Sequence, residues 1–278
     1  MQIIGISLIR NEDIFIERVL RNAVDFCDKL LVVDNNSTDN TWEIVTTLAR
    51  SDPRIEPHRA RRASRSHALI QAYAGTDTWI FPVDGDEIYD PHRLHGLRQE
   101  LLAGTHAQWW GLFCHMLHCT RIDDAGRQAD GYAAPPSRTG TRLFNFGAIH
   151  RWAGPCKERL HGGKILFRSG YSDALRDYPR RQASWDESPF RCLHVCFLRR
   201  SSRDPADGTT RMNPQEAVGR LGTWGGALRR WLGRGRAAGY KREKYMRGDL
   251  VRQVDVSAFF GGAWSHRSWN DQGLSIRR

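Results

Sequence analysis

Two short apolar runs near the start of the chain end abruptly in clusters of acids and amides, and this pattern constrains the fold more than any other feature. Leu30, Leu31, Val32 and Val33 run into Asp34-Asn35-Asn36-Ser37-Thr38-Asp39-Asn40, and Trp79, Ile80, Phe81, Pro82 and Val83 run into Asp84-Gly85-Asp86-Glu87. Unbroken apolar runs of this length suit strands buried on both faces, with polar side chains held back until the strand ends. Residues 3–9 read as a third such strand. After it, Phe15, Ile16, Val19, Leu20, Ala23, Val24 and Cys27 fall at helical spacing with charges between them. Trp42, Ile44, Val45 and Leu48 mark a second helix behind the polar cluster, and a third is expected over residues 66–74, beyond a basic loop. Strands alternating with helices predict an α/β fold with a mostly parallel, Rossmann-like sheet, right-handed crossovers and flanking helices. Ligands of such sheets bind beyond the carboxyl ends of the strands, where both polar clusters lie.

From about residue 108 the pattern loosens into short aromatic and β-like runs, at 109–116, 142–146 and 165–168, divided by Gly, Pro and Asp. Antiparallel strands and loops are expected there. Beyond Ser202 the chain turns Arg-, Gly- and Trp-rich, with a linker between Pro205 and Pro214 and at least one helix after it. Three regions follow from this: 1–107, 108–202, and a basic helical C-terminal extension over 203–278. The net charge of +11 is concentrated in the last of them. Residues 1–198 hold 25 Lys and Arg against 24 Asp and Glu, whereas residues 199–278 hold 17 against 7. An acidic partner for the C-terminal part is therefore expected, whether phosphate, anionic lipid or nucleic acid.

No apolar run approaches the roughly 18 residues that a spanning helix needs, and Arg10 interrupts the apolar start too early for a signal peptide. A cytoplasmic protein is expected on that basis. The six cysteines, Cys27, Cys114, Cys119, Cys156, Cys192 and Cys196, show no CxxC spacing and read as small buried hydrophobes rather than disulfides or zinc ligands.

Asp84-Gly85-Asp86-Glu87 is the most informative segment. Two carboxylates one small residue apart at a strand end can share a hard divalent cation, and a glycine between them lets a diphosphate come close. An isolated Asp-Gly-Asp is more often a solvated turn. Here it stands in a longer pattern, and that pattern resembles the family-two glycosyltransferases of the GT-A fold. The resemblance covers roughly residues 2–100. It consists of the opening strand with Arg10-Asn11-Glu12, the turn from Val33 through Asp34-Asn35-Asn36-Ser37-Thr38-Asp39-Asn40 to Thr41, the helix from Arg65 towards Gly75, and the strand entering Asp84-Gly85-Asp86-Glu87.

The resemblance implies a GT-A fold with a smaller acceptor-side region, a nucleoside-diphosphate sugar as donor, and a Mg²⁺ or Mn²⁺ ion on the Asp-x-Asp motif. It also implies inverting displacement at the anomeric carbon. It places Ile9 and Asn11 near the nucleoside and Asp34 and Asn35 at the base. Many relatives have an acid where this chain has Asn35, which can donate as well as accept a hydrogen bond. It sets Arg65 and Gly85 against the diphosphate, Asp84 at the ribose and metal, and Asp86 on the metal. The segment Phe190-Arg191-Cys192-Leu193-His194-Val195-Cys196-Phe197-Leu198-Arg199-Arg200-Ser201 looks like one found late in some members. There a histidine, His194 in this chain, completes the metal shell, and basic residues, Arg199 and Arg200, contact the diphosphate. The bland reading of the same segment is a core strand with a hydrogen-bonded histidine and exposed arginines.

Displacement also needs a base for the acceptor hydroxyl. The segment from Gly154 to His161 resembles the place where some relatives carry Val-His-Glu, which makes Glu158 the first choice, although Lys157 replaces the family's histidine. Asp186 and Glu187, after Trp185, are the second choice, because an aromatic neighbour can raise a carboxylate pKa and stack on a sugar. The acceptor class stays open between a saccharide, a lipid-linked molecule and a small molecule.

Two other functions share some of these features. A sugar-phosphate nucleotidyltransferase has the same architecture and metal but would carry a Gly- and Arg-rich loop after the first strand, and Ile9-Arg10-Asn11-Glu12 is not one. A basic membrane- or nucleic-acid-binding protein with a decayed site would explain the tail, yet the acidic turns would repel a polyanion, so no nucleic acid is expected. Within the tail, Ala217, Leu221, Trp224, Leu228 and Trp231 make one apolar stripe with basic flanks. Such a helix either packs on the enzyme's own core, the favoured reading, or lies on an anionic membrane surface, making the protein peripheral to the membrane.

Overall fold

The computed structural model describes residues 1–204 and 244–261. The expected start of the fold is present: β1 (Gln2–Ile9), α1 (Ile16–Val24), β2 (Lys29–Asp34), α2 (Thr41–Ser51), β3 (Ile55–Arg59), α3 (Arg65–Gln71) and β4 (Thr78–Pro82) follow one another. β1 lies between β2 and β4, and β3 lies outside β2, all parallel. Side chains alternate across this sheet as the apolar runs predict. Ile3, Leu30, Val32, Trp79 and Phe81 enter one buried cluster, and Ile4, Ile6, Leu31, Val33 and Ile80 enter another. The first is covered by the α1 face of Ile16, Val19, Leu20 and Ala23.

The segment expected to be a basic loop contains β3 at the sheet edge. Only its Ile55 is fully buried, which is why its polar composition did not read as a strand. Next come β5 (Glu87–Tyr89) and α4 (Pro91–Leu102), neither of which periodicity indicated. Asp90 caps α4, accepting hydrogen bonds from the amides of His92 (3.0 Å) and Arg93 (3.2 Å), and Pro91 opens its first turn.

Beyond residue 108 the strands are β6 (Gly111–Phe113), β7 (His115–Ile122), β8 (Gln128–Ala134), β9 (Thr141–Asn145), β10 (Ile149–Glu158), β11 (His161–Phe167), β12 (Arg176–Asp177), β13 (Arg191–His194) and β14 (Leu250–Asp255). They do not stay apart from the first region. β9 pairs with β4, β6 with β9 and β12 with β6, which completes a seven-stranded sheet in the order β12-β6-β9-β4-β1-β2-β3. The boundary expected at 107/108 therefore falls inside one sheet. A second sheet has the order β14-β8-β7-β13-β5, and β10 with β11 forms a separate hairpin.

The class is thus α/β with a large, mostly parallel sheet, as the GT-A resemblance implies. Of the C-terminal extension expected to be helical, the described part contributes β14, antiparallel to β8, and the short helix α5 (Ser257–Phe260), and the rest lies outside the described residues. Asn22 of α1 ties this part down, donating to the carbonyls of Tyr89 (2.8 Å) and Phe259 (2.7 Å). The apolar stripe over 217–231 lies outside the described residues. Among the described residues no helix is long and apolar enough to cross a membrane.

Candidate functional site

β1, β2 and β4 end side by side, and their polar extensions meet there. Asp34, wholly buried at the end of β2, accepts from the amide of Ser37 (3.2 Å) and from Arg59 Nε (3.3 Å), while Arg59 itself lies 4.6 Å over the ring of Trp42. Asn35 donates its side-chain amide to the carbonyl of Ala60 (2.7 Å) and its backbone amide to Ile9 (2.8 Å). Asn11, at φ 54°, donates its backbone amide to Ser37 Oγ (3.0 Å) and accepts from the Thr38 amide (2.8 Å). Left-handed backbone is unusual outside glycine but comparatively easy for asparagine. Ile9, Asn11, Asp34 and Asn35 are therefore joined in one turn system at the strand ends.

The second acidic cluster is neutralised by arginines from distant segments. Arg159, at the tip of the β10–β11 hairpin, is paired with Asp84, and Arg142 of β9 stands 3.7 Å from the same carboxylate. Burial opposes ionisation of Asp84, but Arg159 and Arg142 outweigh it and hold the carboxyl well below the usual carboxylate range. The α3 helix fixes the hairpin tip, since the Arg159 amide donates to Ser66 Oγ (2.9 Å) and His67 Nδ1 donates to the Arg159 carbonyl. Arg65, one residue before Ser66, is exposed. Two more Arg159 donors, Nε and Nη1, are buried without a partner among the described residues. Glu87 is a structural acid: it is fully buried, paired with Arg142, and accepts from Tyr89 Oη at 2.8 Å.

Gly85 has a packing reason beside the one the sequence suggests. A Cβ at this position would sit 2.6 Å from Glu12 Cγ, so the glycine makes room for the side chain of Glu12.

Asp86 meets residues from the end of β13. Arg200 is paired with it and lies 3.7 Å from Glu12, and His194 Nε2 is 3.6 Å from Asp86 Oδ2. Burial disfavours a charged His194, but Cys196, Tyr245 and Glu87 outweigh it and push its pKa up to about 9. Its neighbour His118 on β7 is pushed down to about 3, chiefly by burial and then by the charge of His194. Arg199 turns away to the carbonyls of Ser201 (2.9 Å) and Ser202.

The segment carrying Arg200 is clasped to the turn after β1. Ser201 Oγ donates to Asp39 (2.6 Å), and Ser202 donates both its amide (2.7 Å) and its hydroxyl (2.5 Å) to Asp13. Asp39 is held in addition by Thr41. Asp39 and Ser201 stand in segments the sequence singles out, but the pairings Asp39–Ser201 and Asp13–Ser202 escaped the sequence reading because nothing local marks a contact between residues so far apart. Arg142 and Arg159, on Asp84, escaped it for the same reason.

Glu158 is adjacent to Arg159 and largely buried, 3.2 Å from His161 Nδ1. Burial raises its pKa, and the opposing effects of His161 and Arg159 prevail and lower it. Asp186 and Glu187 lie elsewhere. Their segment packs at the Arg191 end of β13, opposite to His194, where Asp186 reaches Arg191 at 3.5 Å and Glu187 accepts from Ser184 Oγ at 2.9 Å. No hydrogen bond or ion pair among the described residues links either of them directly to Asp84, Asp86 or His194.

A carboxylate oxygen and an imidazole nitrogen 3.6 Å apart can both reach one cation, because bonds of about 2.1–2.2 Å at right angles or wider put two ligands roughly 3–3.8 Å apart. The residues present therefore fit a divalent metal.

The model of a family described as glycosyl transferase family 2 matches residues 6–175, more than half of the chain. No curated protein matches the chain closely enough to count as a relative. Among solved structures, glucosyl-3-phosphoglycerate synthase from Mycobacterium tuberculosis, in complex with Mn²⁺, UDP and phosphoglyceric acid, is similar at 23% identity and a TM-score of 0.32. That match covers 41% of this chain and 43% of the synthase, so the chain spans less than half of that relative's length. The mannosyltransferase PcManGT from Pyrobaculum calidifontis, in complex with GDP-Man and Mn²⁺, is similar at 17% identity and a TM-score of 0.35, over 52% of this chain and 44% of that one. Mannose-6-phosphate isomerase from Helicobacter pylori is similar at 10% identity and a TM-score of 0.34, over 53% and 72%.

Proposed function

The chain belongs to glycosyl transferase family 2, and from that premise we propose that it transfers a sugar from a nucleoside-diphosphate donor to an acceptor hydroxyl, with inversion and with help from a divalent cation. The observation that carries this reading is the meeting of Asp84 and Asp86 with His194, Arg159 and Arg200, all from remote segments, beyond the strand ends of one sheet. A bound Mn²⁺ or Mg²⁺, held by Asp86 with Asp84 and His194, would neutralise the charge of the leaving diphosphate.

The chain's own residues would do the rest. Ile9, Asn11, Asp34 and Asn35 bind the nucleoside, and Asp84 faces the ribose. Arg200 is a cation already resting on Asp86, and it can turn to the diphosphate when a metal takes that carboxylate. Arg65 and Gly85 would face the diphosphate, and Arg199 would join them on release from the carbonyls of Ser201 and Ser202. The buried, unpartnered Nε and Nη1 of Arg159 favour an anion in the same place, because an unsatisfied guanidinium donor is costly. Glu158, at the hairpin tip, accepts the proton of the acceptor hydroxyl while its oxygen bonds to the anomeric carbon and the bond to the diphosphate breaks. Its lowered pKa keeps it ionised across neutral pH, so its proton-accepting role rests on position rather than on base strength.

A thermal-unfolding series tests the donor. Nucleoside diphosphates with Mn²⁺ are expected to raise Tm, by about 2.7 kcal/mol of stabilisation at a ligand concentration 100 times Kd. The same ligands without metal are expected to do much less. Stabilisation by none of the common nucleoside diphosphates or nucleotide sugars would remove the reading. For the base, Glu158→Gln is expected to cut turnover by about 10²–10⁴ while leaving donor affinity unchanged. A fully active variant would transfer the role to another carboxylate, with Asp186 and Glu187 the next to be substituted.

The acceptor, whether saccharide, lipid-linked or small molecule, is met on the side of the β10–β11 hairpin. Binding of the C-terminal extension to an anionic membrane stays a separate proposal, resting on its charge and its apolar stripe alone.

A further inference from the structure

Next to Asp86, and sharing His194 with it, the ligand-bearing atoms of three side chains converge: His118, His194 and Cys196, all within 4.8 Å of one another. His194 and His118 are directly opposite on the parallel strands β13 and β7, and Cys196 follows two residues later. Nδ1 of His118 and Nδ1 of His194 are 2.8 Å apart. The carbonyl of Arg138, 2.8 Å from His118 Nε2, can only accept, so that nitrogen carries the proton and the Nδ1 lone pair of His118 points at His194. The ring of Tyr245 closes over both histidines at 4.6 and 5.2 Å.

Two imidazole nitrogens and one sulfur form a softer ligand set than the carboxylates beside them. Such a set prefers Zn²⁺ to Mg²⁺ or Mn²⁺. Around a tetrahedral ion with bonds of about 2.0–2.3 Å, ligand atoms stand roughly 3.3–3.7 Å apart, so the two imidazole nitrogens, 2.8 Å apart, need to open by about half an ångström, with the sulfur already within 4.8 Å of both. We propose that His118, His194 and Cys196 form a second metal site, for a thiolate-binding ion such as Zn²⁺, and that filling it withdraws His194 from the donor-site cation.

The second half rests on the donor-site reading above and on the chemistry of one ring. A neutral imidazole has a single lone pair. When Nδ1 of His194 binds the soft ion, Nε2 keeps its proton and meets Asp86 as a donor, not as a ligand. Coordination expels the protons of Cys196 Sγ and His194 Nδ1 to solvent, so the charge of the new ion is partly cancelled by the thiolate. The two sites therefore exclude each other through His194, and zinc would act as an inhibitor of the hard-metal enzyme.

The test uses the full chain with Co²⁺ alone, then Zn²⁺, without nucleotide. Co²⁺ is expected to give a sulfur-to-metal charge-transfer band in the near ultraviolet, abolished as Zn²⁺ displaces it. Cys196→Ser should lose the band and weaken Zn²⁺ by a factor on the order of 100, whereas Asp86→Ala should keep both. Absence of the band in the natural chain, or its persistence in Cys196→Ser, overturns the site. A measurement that needs no variant is peptide mapping after iodoacetamide: Zn²⁺ should protect Cys196 and leave Cys156 as reactive as before, and equal alkylation of Cys196 with and without Zn²⁺ counts against the site. The exclusion is read separately, with Mn²⁺ and nucleoside diphosphate present. One equivalent of Zn²⁺ should weaken diphosphate binding in the natural chain but not in Cys196→Ser, and equal binding in both refutes the exclusion. Failure of the donor reading shows differently, as loss of metal-dependent diphosphate binding altogether with the cobalt band intact.

Discussion

Asp86→Ala is expected to abolish the metal dependence of nucleoside diphosphate binding, with affinity in Mn²⁺ falling at least about 100-fold, or about 2.8 kcal/mol. The size follows from what the carboxylate touches. It is the acid nearest to His194 Nε2, at 3.6 Å, and the resting partner of Arg200. Its removal takes away a charged ligand and leaves Arg200 without that partner. Binding without metal should consequently stay the same or tighten slightly, because the site becomes more positive. The diagnostic quantity in calorimetry is the ratio of affinities with and without Mn²⁺, which should approach one. A ratio equal to that of the natural chain would sink the proposed role of Asp86, whatever happened to stability.

Arg142→Met carries the largest expected loss of stability, about 3–5 kcal/mol. Glu87 has no exposed side-chain surface, and Arg142 meets both of its oxygens, with Nε at 2.9 and 2.8 Å. Burial disfavours the Arg142 cation, but Glu87, Tyr89 and Asp84 outweigh it and hold it firmly charged. Removing it strands a carboxylate in the interior beside a single phenol, and Asp84 loses one of its two cations. Thermal unfolding should show a fall on the order of 10 °C. The double variant Arg142→Met, Glu87→Leu should recover most of it, since no buried charge is then left alone. A single variant within about 2 °C of the natural chain would show that the pair is dispensable.

The parts of this fold that could be read from the amino acids are those written in short stretches. The β1, β2 and β4 strands carry unbroken apolar runs, and α1 and α2 carry helical spacing, so all five were legible. The β3 strand was not, because an edge strand buries one residue fully and tolerates Pro57, His58 and Arg59. The α4 helix buries only Leu94, Leu97 and Leu101 among histidines, arginines and a glycine, and its one clear mark is the Asp90-Pro91 cap. The same division runs through the site. Asp84 and Asp86 are visible because they are two residues apart at a strand end. Their partners Arg142, Arg159 and Arg200, and the Asp13–Ser202 and Asp39–Ser201 contacts, depend on register between segments far apart in the chain. Cys196 was set aside with the other cysteines for want of a CxxC spacing, yet its neighbours are histidines brought together by strand pairing.

The position of β13 between β7 and β5 governs the order in which the molecule can be made. Among the described residues, 87–89 pair only with 192–194. During synthesis the parallel sheet from β1 to β4 can assemble from consecutive units, but the second sheet must wait with two open edges. Loop closure over that span is entropically costly and slow compared with local pairing. Until it occurs, the hydrogen-bonding edges of β5 and β7 are templates for the wrong partner. A nascent or truncated chain ending before β13 should therefore be the aggregation-prone species, and chaperone capture would be concentrated in that interval of translation. His194 and Arg200 arrive in the same step that covers the facing edges of β5 and β7, so the cluster around Asp86 is completed only when those edges are paired.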